Sequence, residues 1–188
     1  MMLRDQGPID TLEPLVESIR DGVESSGWTL SGLQKTTSRE FEGRWSGQST
    51  RSAYLFFHRT DLPETISVEA FVDEASQGLR ANLSLVVAGP PLSEIGEIPP
   101  ILRRISAAVG ETLPDGYRTP MALRVGLPDT GVEPGDAEVQ LRVKLSAPPV
   151  AMEAGGSAVS ALASAAVVAF EHLLERPEIA ELLPPVVD

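Results

Sequence analysis

The residues of this sequence best suited to metal or acid–base chemistry are two histidines and a few acids. His172 and Glu175 lie three residues apart, which would place them on one face of a helix. A zinc site needs three or four ligands, and His58 is far away in the chain. There is no cysteine, so a thiolate nucleophile is excluded. We predict no metal site and interpret His172 as a solvated or interface residue near a helix end.

Pairs of acidic residues are the remaining candidates for catalysis. Neighbouring acids such as Asp73 and Glu74 are explained more simply as charges in turns and at helix starts. The sequence has no phosphate-binding glycine loop and no Gly-x-Ser-x-Gly motif. We therefore predict a non-enzymatic protein without catalytic residues or cofactor. An enzyme that uses carboxylates alone would need two of four acids to meet in one cleft: Glu42, Glu69, Asp73 and Glu138.

Residues 35–59 combine basic and aromatic side chains within an acidic chain. This segment holds five basic residues against two acidic ones, and five of the nine aromatic residues. Such a mixture is typical of a sheet that binds peptides or of a platform for single-stranded nucleic acid. The simpler interpretation is that the aromatic rings face a core and the arginines face water. If the segment binds a partner, we predict contacts through Arg44, Trp45, Arg51, Tyr54 and Phe56.

Composition narrows the classes of partner and the location of the protein. The chain has 188 residues, 42% of them hydrophobic, and a net charge of −12. This charge repels polynucleotides and anionic membranes and favours a basic partner protein, so direct binding of nucleic acid is disfavoured. The N-terminus has neither a basic start nor an apolar stretch, and no uninterrupted apolar run reaches the ~18 residues of a membrane span. We expect a cytoplasmic protein that makes no membrane contact.

The elements that must position these residues are indicated by the spacing of apolar side chains. Steps of three and four residues predict a helix from about residue 10 to Gly27, and Asp10 or Thr11 can cap its start. Alternation then predicts strands near residues 28–32, 41–45, 53–58, 66–72 and 79–87. The strand 53–58 is apolar on both sides, which predicts that it is covered on both faces or has one face at an interface.

The second half of the chain repeats this order on a smaller scale. Pro99 and Pro100 fit the first turn of a middle helix that continues to Leu113. Two strands follow, near residues 121–127 and 139–145, and Ser157 can cap a closing helix. That helix is apolar on nearly all sides, which indicates burial against the sheet and another helix or against a second subunit. For self-association we predict contacts through Ala165, Val168 and Ala169.

The predicted fold is an α+β domain with an antiparallel sheet and helices packed on it, in the order α-β(4–5)-α-β-β-α. It covers residues 1–188, with 1–8 and 177–188 as terminal extensions. This order resembles the YbjN-like family of bacterial proteins, which share the fold of type III secretion chaperones. The matching stretches are the helix 12–26 with Gly27-Trp28, the strands 54–59 and 138–146, and the helices 100–113 and 160–175.

The resemblance implies a chaperone or adaptor that holds a partner protein on its sheet or helix surface, often as a homodimer. No catalytic residues are implied by it. A different class of function, a carrier of a small hydrophobic ligand, would require a sizeable apolar cavity between the strands and the helices.

Overall fold

The protein is a six-stranded antiparallel sheet with helices on it. The computed structural model describes residues 7–38, 50–113, 121–127 and 129–182. The first half comprises α1 (Leu12–Ser25), β1 (Thr29–Ser38), β2 (Thr50–His58), β3 (Ile66–Ala75) and β4 (Gly78–Ala88). The second half comprises α2 (Leu92–Ile95), α3 (Ile98–Thr112), β5 (Met121–Gly126), β6 (Glu138–Ser146), α4 (Pro149–Glu153), α5 (Gly156–Leu174) and α6 (Pro177–Ala180), with a 3₁₀ turn at Pro134–Asp136. The predicted α+β class and antiparallel sheet are confirmed.

Strand order in the sheet is β1-β2-β3-β4-β6-β5. The first four strands form a meander, whereas β6 pairs with β4 and leaves β5 at the edge. Four strands of the predicted four or five precede the middle helices, and the predicted strand 41–45 lies outside the described residues. Residues far apart in sequence, on β2 and β6, therefore share one sheet.

One hydrophobic core lies between the sheet and the helices. Alternate residues of each strand point into it, and α1 and α5 contribute the residues of their apolar stripes. On β2 the buried residues are Ala53, Leu55 and Phe57, each fully buried. Helices cover this face only of the described strand, so the predicted cover on both faces is not found, and an interface on the other face stays a prediction.

Helices α1 and α5 pack closely because small residues line their contact. A Cβ on Gly22 would clash with the backbone oxygen of Ser160 and come within 2.8 Å of the Ala163 Cβ. Gly156 is the first residue of α5, and a Cβ there would lie 2.9 Å from the Ser18 Oγ. The predicted cap at Ser157 is therefore wrong: the cap is Gly155, whose φ of 94° is one that glycine adopts readily.

The C-terminal residues that were predicted to form an extension are part of the fold up to Leu182. Pro177–Ala180 forms α6, and both Ile179 and Leu182 are buried in the core. Two apolar side chains within an acidic, proline-containing stretch are enough to anchor it. Residues 183–188 and 1–6 lie outside the described part of the chain.

Helix α5 is long and apolar enough to cross a membrane by length and composition alone, and it is the one such helix among the described residues. The core helix of a soluble protein has the same properties. In this fold α5 contacts α1, α3, α6 and β4. These neighbours cover its inner sides, which is the first of the two predicted kinds of burial, whereas Ala161, Ala165 and Val168 are exposed, and burial there against a second subunit stays a prediction.

Candidate protein-binding face

The side of the sheet opposite α1 and α5 forms a shallow groove, which we call the open face. Its volume is about 720 Å³, and among the described residues it is lined by strand residues alone. All six strands contribute to it. Alternation along each strand decides which residues reach this side, because successive side chains point to opposite faces. The lining residues are Gln34, Tyr54, Phe56, Glu69, Phe71, Asn82, Ser84, Ala122, Arg124, Arg142 and Lys144.

Three aromatic rings form one side of the open face. Tyr54 on β2 and Phe71 on β3 are paired across the strands, and their ring centroids are 4.7 Å apart at an interplanar angle of 42°. Phe56 lies two residues further along β2, on the same side of the sheet. Tyr54 remains 41% exposed, although β2 has a neighbouring strand on each side. The rings offer an apolar surface that no described residue covers.

Short polar side chains form the floor of the groove. Ser84 is buried at 7% exposure, and Asn82 accepts a hydrogen bond from the Ser146 hydroxyl at 2.8 Å. Both residues lie on β4, between the aromatic side and the strands β6 and β5. Small residues here leave room for an extended segment above the strands.

Basic side chains form the other side of the groove. Arg142 is paired with Glu69 and also donates from Nε to Gln140 Oε1 at 3.1 Å. Lys144 and Arg124 have no hydrogen-bond or ion-pair partner among the described residues. Since Glu69 neutralises Arg142, these two cations give the open face a local positive charge in a chain whose net charge is −12.

The predicted contact residues are divided between the two faces. Tyr54 and Phe56 lie on the open face, but Arg51 is on the helix side of β2. There it donates to Glu13 at 2.6 Å and to Glu74 at 2.7 Å. The structure therefore does not bring Arg51 together with the two rings. Arg44 and Trp45 lie outside the described residues.

The Arg51 cluster anchors the start of α1 to the sheet. Besides bonding to Arg51, the Glu74 carboxylate accepts the Leu12 backbone N–H at 2.7 Å. The predicted cap at Asp10 or Thr11 is thus replaced by a side chain from β3, since Thr11 occupies the cap position without a side-chain bond. Hydrogen bonding to the two carboxylates raises the pKa of Arg51, and the guanidinium lowers the pKa of Glu13.

The residues predicted for self-association also divide. Ala165 and Val168 are exposed on the outer side of α5, and Val168 is 41% exposed. Ala169 is buried at 7% exposure and belongs to the core, so it is not available as a surface contact. Val168 and Ala169 are adjacent in the sequence but differ in exposure, because successive residues of a helix are about 100° apart around its axis.

The open face includes several residues that were not predicted: Phe71, Arg124, Arg142 and Lys144. Strict alternation in residues 138–145 already placed Arg142 and Lys144 on one side of a strand. That side could be recognised as the neighbour of Tyr54 and Phe56 only with the strand order, which pairs β6 with β4.

The described histidine, serine and carboxylate side chains give less support for catalysis. The His58 Nδ1 and the Ser31 Oγ are 2.7 Å apart, but the Ser31 hydroxyl also lies 3.1 Å from the Phe56 carbonyl oxygen, to which it donates. No described carboxylate is hydrogen-bonded to the His58 ring. Of the described acids that a carboxylate enzyme would use, Glu69 lines the open face, Asp73 bonds to Ser52, and Glu138 is exposed.

The described residues offer neither a metal site nor a suitable site for a hydrophobic ligand. They contain no group of three or more potential metal ligands. A second groove, of about 740 Å³, runs between α1 and α5, but serines and the acids Asp10, Glu17 and Asp21 contribute much of its lining. Such a lining does not suit the hydrophobic ligand of a carrier protein.

No protein-family model, no curated protein and no solved structure matches the chain.

Proposed function

We propose that this chain is a non-enzymatic, cytoplasmic adaptor or chaperone that holds a segment of another protein on its open face. The observation that carries the proposal is the exposure of Tyr54 beside Phe71 on a face that also bears unpartnered cations. Apolar rings with charged groups beside them are the usual composition of protein-binding surfaces. The element order also supports the finer proposal that the fold is that of type III secretion chaperones, as in YbjN-like proteins.

A homodimer is part of the same proposal. Ala165 and Val168 give α5 a small, smooth outer surface on which a second copy can pack. The net charge of −12 favours encounter with a basic partner, most strongly at low salt, where exposed charges are less screened. Helix α5 packs on the opposite side of the sheet, so a dimer through Ala165 and Val168 would leave the open face accessible.

The test is covalent capture from a defined position on the open face. A photo-reactive phenylalanine analogue replaces Tyr54 in the native host, and the matched control carries it at Val150, which is 64% exposed on α4. We expect a discrete cross-linked protein from position 54 and none from position 150. The double variant Tyr54→Ser, Phe56→Ser should lose partner recovery while it remains folded. Equal cross-linking from both positions, or unchanged recovery by the double variant, would contradict the proposal.

Light scattering tests the dimer separately. We expect the wild-type chain to scatter as a dimer and Val168→Glu to shift it to the monomer, because a charge would be desolvated in the interface. A monodisperse wild-type monomer would remove the dimer and leave the binding face untouched.

A further inference from the structure

The open face has a polarity: the aromatic rings lie over β2 and β3, and the unpartnered cations lie over β6 and β5. One continuous row of paired residues crosses the groove from Phe56 through Glu69 and Ser84 to Lys144. Three strand-to-strand steps separate the two ends of this row, a distance of about 14 Å. The groove therefore has an apolar subsite and a cationic subsite with a fixed separation.

We infer that the segment held in the groove is an extended acidic peptide with an apolar side chain about four residues from an aspartate or glutamate. An extended chain rises by about 3.3 Å per residue, so four residues span the ~14 Å between the two subsites. The apolar side chain would lie against Tyr54, Phe56 and Phe71, and the carboxylate would accept hydrogen bonds from Lys144. This inference rests on the proposed function and specifies the chemistry of its partner.

The charges that face the groove favour an acid over a base. Glu69 is already neutralised by Arg142, so it neither repels an incoming carboxylate strongly nor attracts a lysine. Lys144 and Arg124 are without partners among the described residues. The acidic residues elsewhere on the chain have little effect on a carboxylate in the groove, because mobile ions screen exposed charges beyond about 8 Å at physiological salt. Contacts within the groove thus select the segment, even where the partner protein as a whole is basic.

Single-stranded nucleic acid would use the same kinds of side chain, but the geometry favours a peptide. Each stacked base needs a free ring face, whereas only Tyr54 of the three rings is well exposed and Phe56 and Phe71 are half-buried. A polynucleotide would also carry many phosphates past a chain of net charge −12, while a short peptide needs one or two carboxylates at the cations.

The test is a selection from displayed random twelve-residue peptides on the purified full chain. We expect enrichment of sequences with Leu, Phe or Trp about four residues from Asp or Glu. The best peptide, synthesised with a fluorophore, should bind about tenfold more weakly to Lys144→Glu, because one charge-assisted hydrogen bond is lost. The matched control is Arg103→Glu, which makes the same charge change on the exposed side of α3 and should leave the affinity unchanged.

Each other outcome overturns the inference. Selection of basic peptides, selection of apolar peptides without acids, or no enrichment would show that the cations do not choose the segment. Equal weakening by Lys144→Glu and Arg103→Glu would place the effect in the net charge. Tighter binding of a ten-nucleotide oligo(U) than of the selected peptide would assign the face to nucleic acid. Cross-linking from position 54 can still succeed when the selection gives other peptides or when both charge variants weaken binding equally. Failure of the inference is therefore distinguishable from failure of the proposed function.

Discussion

The two faces of the sheet are built from the same strands but differ in almost every physical property. On the helix side, neighbouring strands bury Leu55, Val68, Leu83 and Val143, all at 1% exposure or less. On the open side, the alternate positions carry tilted rings, the ion pairs Glu69–Arg142 and Asp73–Arg80, and two cations without partners among the described residues. Burial of the first set provides the stability, so the second set is free to be selected for binding. The comparison implies that substitutions on the two faces should have separable effects.

The sharpest test of this difference uses two adjacent phenylalanines of β2. Phe57 is fully buried on the helix side, while Phe56 lines the open face. We expect Phe57→Ala to lower the free energy of unfolding by about 3–5 kcal/mol, since it leaves a cavity in the core. Phe56→Ala should cost about 1 kcal/mol, because its ring is only partly removed from water in the folded state.

Urea denaturation followed by far-UV circular dichroism measures both variants. The effects on binding should have the opposite order. Phe56→Ala should weaken binding of a groove peptide, whereas the Phe57→Ala protein that remains folded should still bind it. Equal losses of stability in the two variants would mean that the open face is a second core surface and not a free one.

Alternation alone predicted much of this division. It placed Tyr54 and Phe56 on one side of β2 and Leu55 and Phe57 on the other, as the structure has them. Arg51 lies on the same side of β2 as Leu55, so the predicted contact set, which grouped residues by nearness in sequence, is divided between the two faces. The cations opposite the rings required the strand order, and the pairing of β6 with β4 depends on long-range contacts that no local pattern encodes.

The short helices and the close contacts between helices could not be predicted from the sequence. The helices α2, α4 and α6 each have four or five residues, too few for a helical period to be recognised. Gly22 lies within the periodic pattern of α1, but only the approach of α5 shows why it lacks a side chain. Trp28 is buried at 1% exposure and its Nε1 donates to Glu171 at 2.9 Å, a contact between residues 143 positions apart that the weak alternation near Trp28 did not predict.

The second prediction addresses how tightly the helix layer is packed. Gly22→Ala would force the new Cβ against the Ser160 backbone oxygen and the Ala163 side chain, and we expect a loss of about 1–3 kcal/mol. Gly110→Ala is the matched control, since Gly110 lies in the exposed part of α3 with nothing within 4 Å of its Cβ position. Alanine there should stabilise the helix by about 0.5–1 kcal/mol.

Thermal unfolding of the two variants should therefore shift in opposite directions, down for Gly22→Ala and up for Gly110→Ala. A shift upwards in both would show that α1 and α5 can separate without cost, and the helix layer would then be as tolerant as the open face.

The smallest expected effect concerns the ion pairs at the rim of the helix side. The Arg51 guanidinium lowers the pKa of Glu13 below its unfolded value of 4.5. A lowered pKa means that the unfolded chain binds the proton more readily, so the contribution of Glu13 is complete above pH 4.5 and is lost as the pH falls through the folded pKa. Arg51 itself stays charged throughout this range and adds no pH dependence.

We expect Glu13→Gln to lower the urea midpoint slightly at pH 7 and not at pH 3. Glu17→Gln, which alters an exposed acid on the same helix without an ion pair to any described residue, should show no such convergence. If the wild-type and Glu13→Gln midpoints differ equally at both pH values, the contact between Glu13 and Arg51 does not contribute as an ion pair in solution.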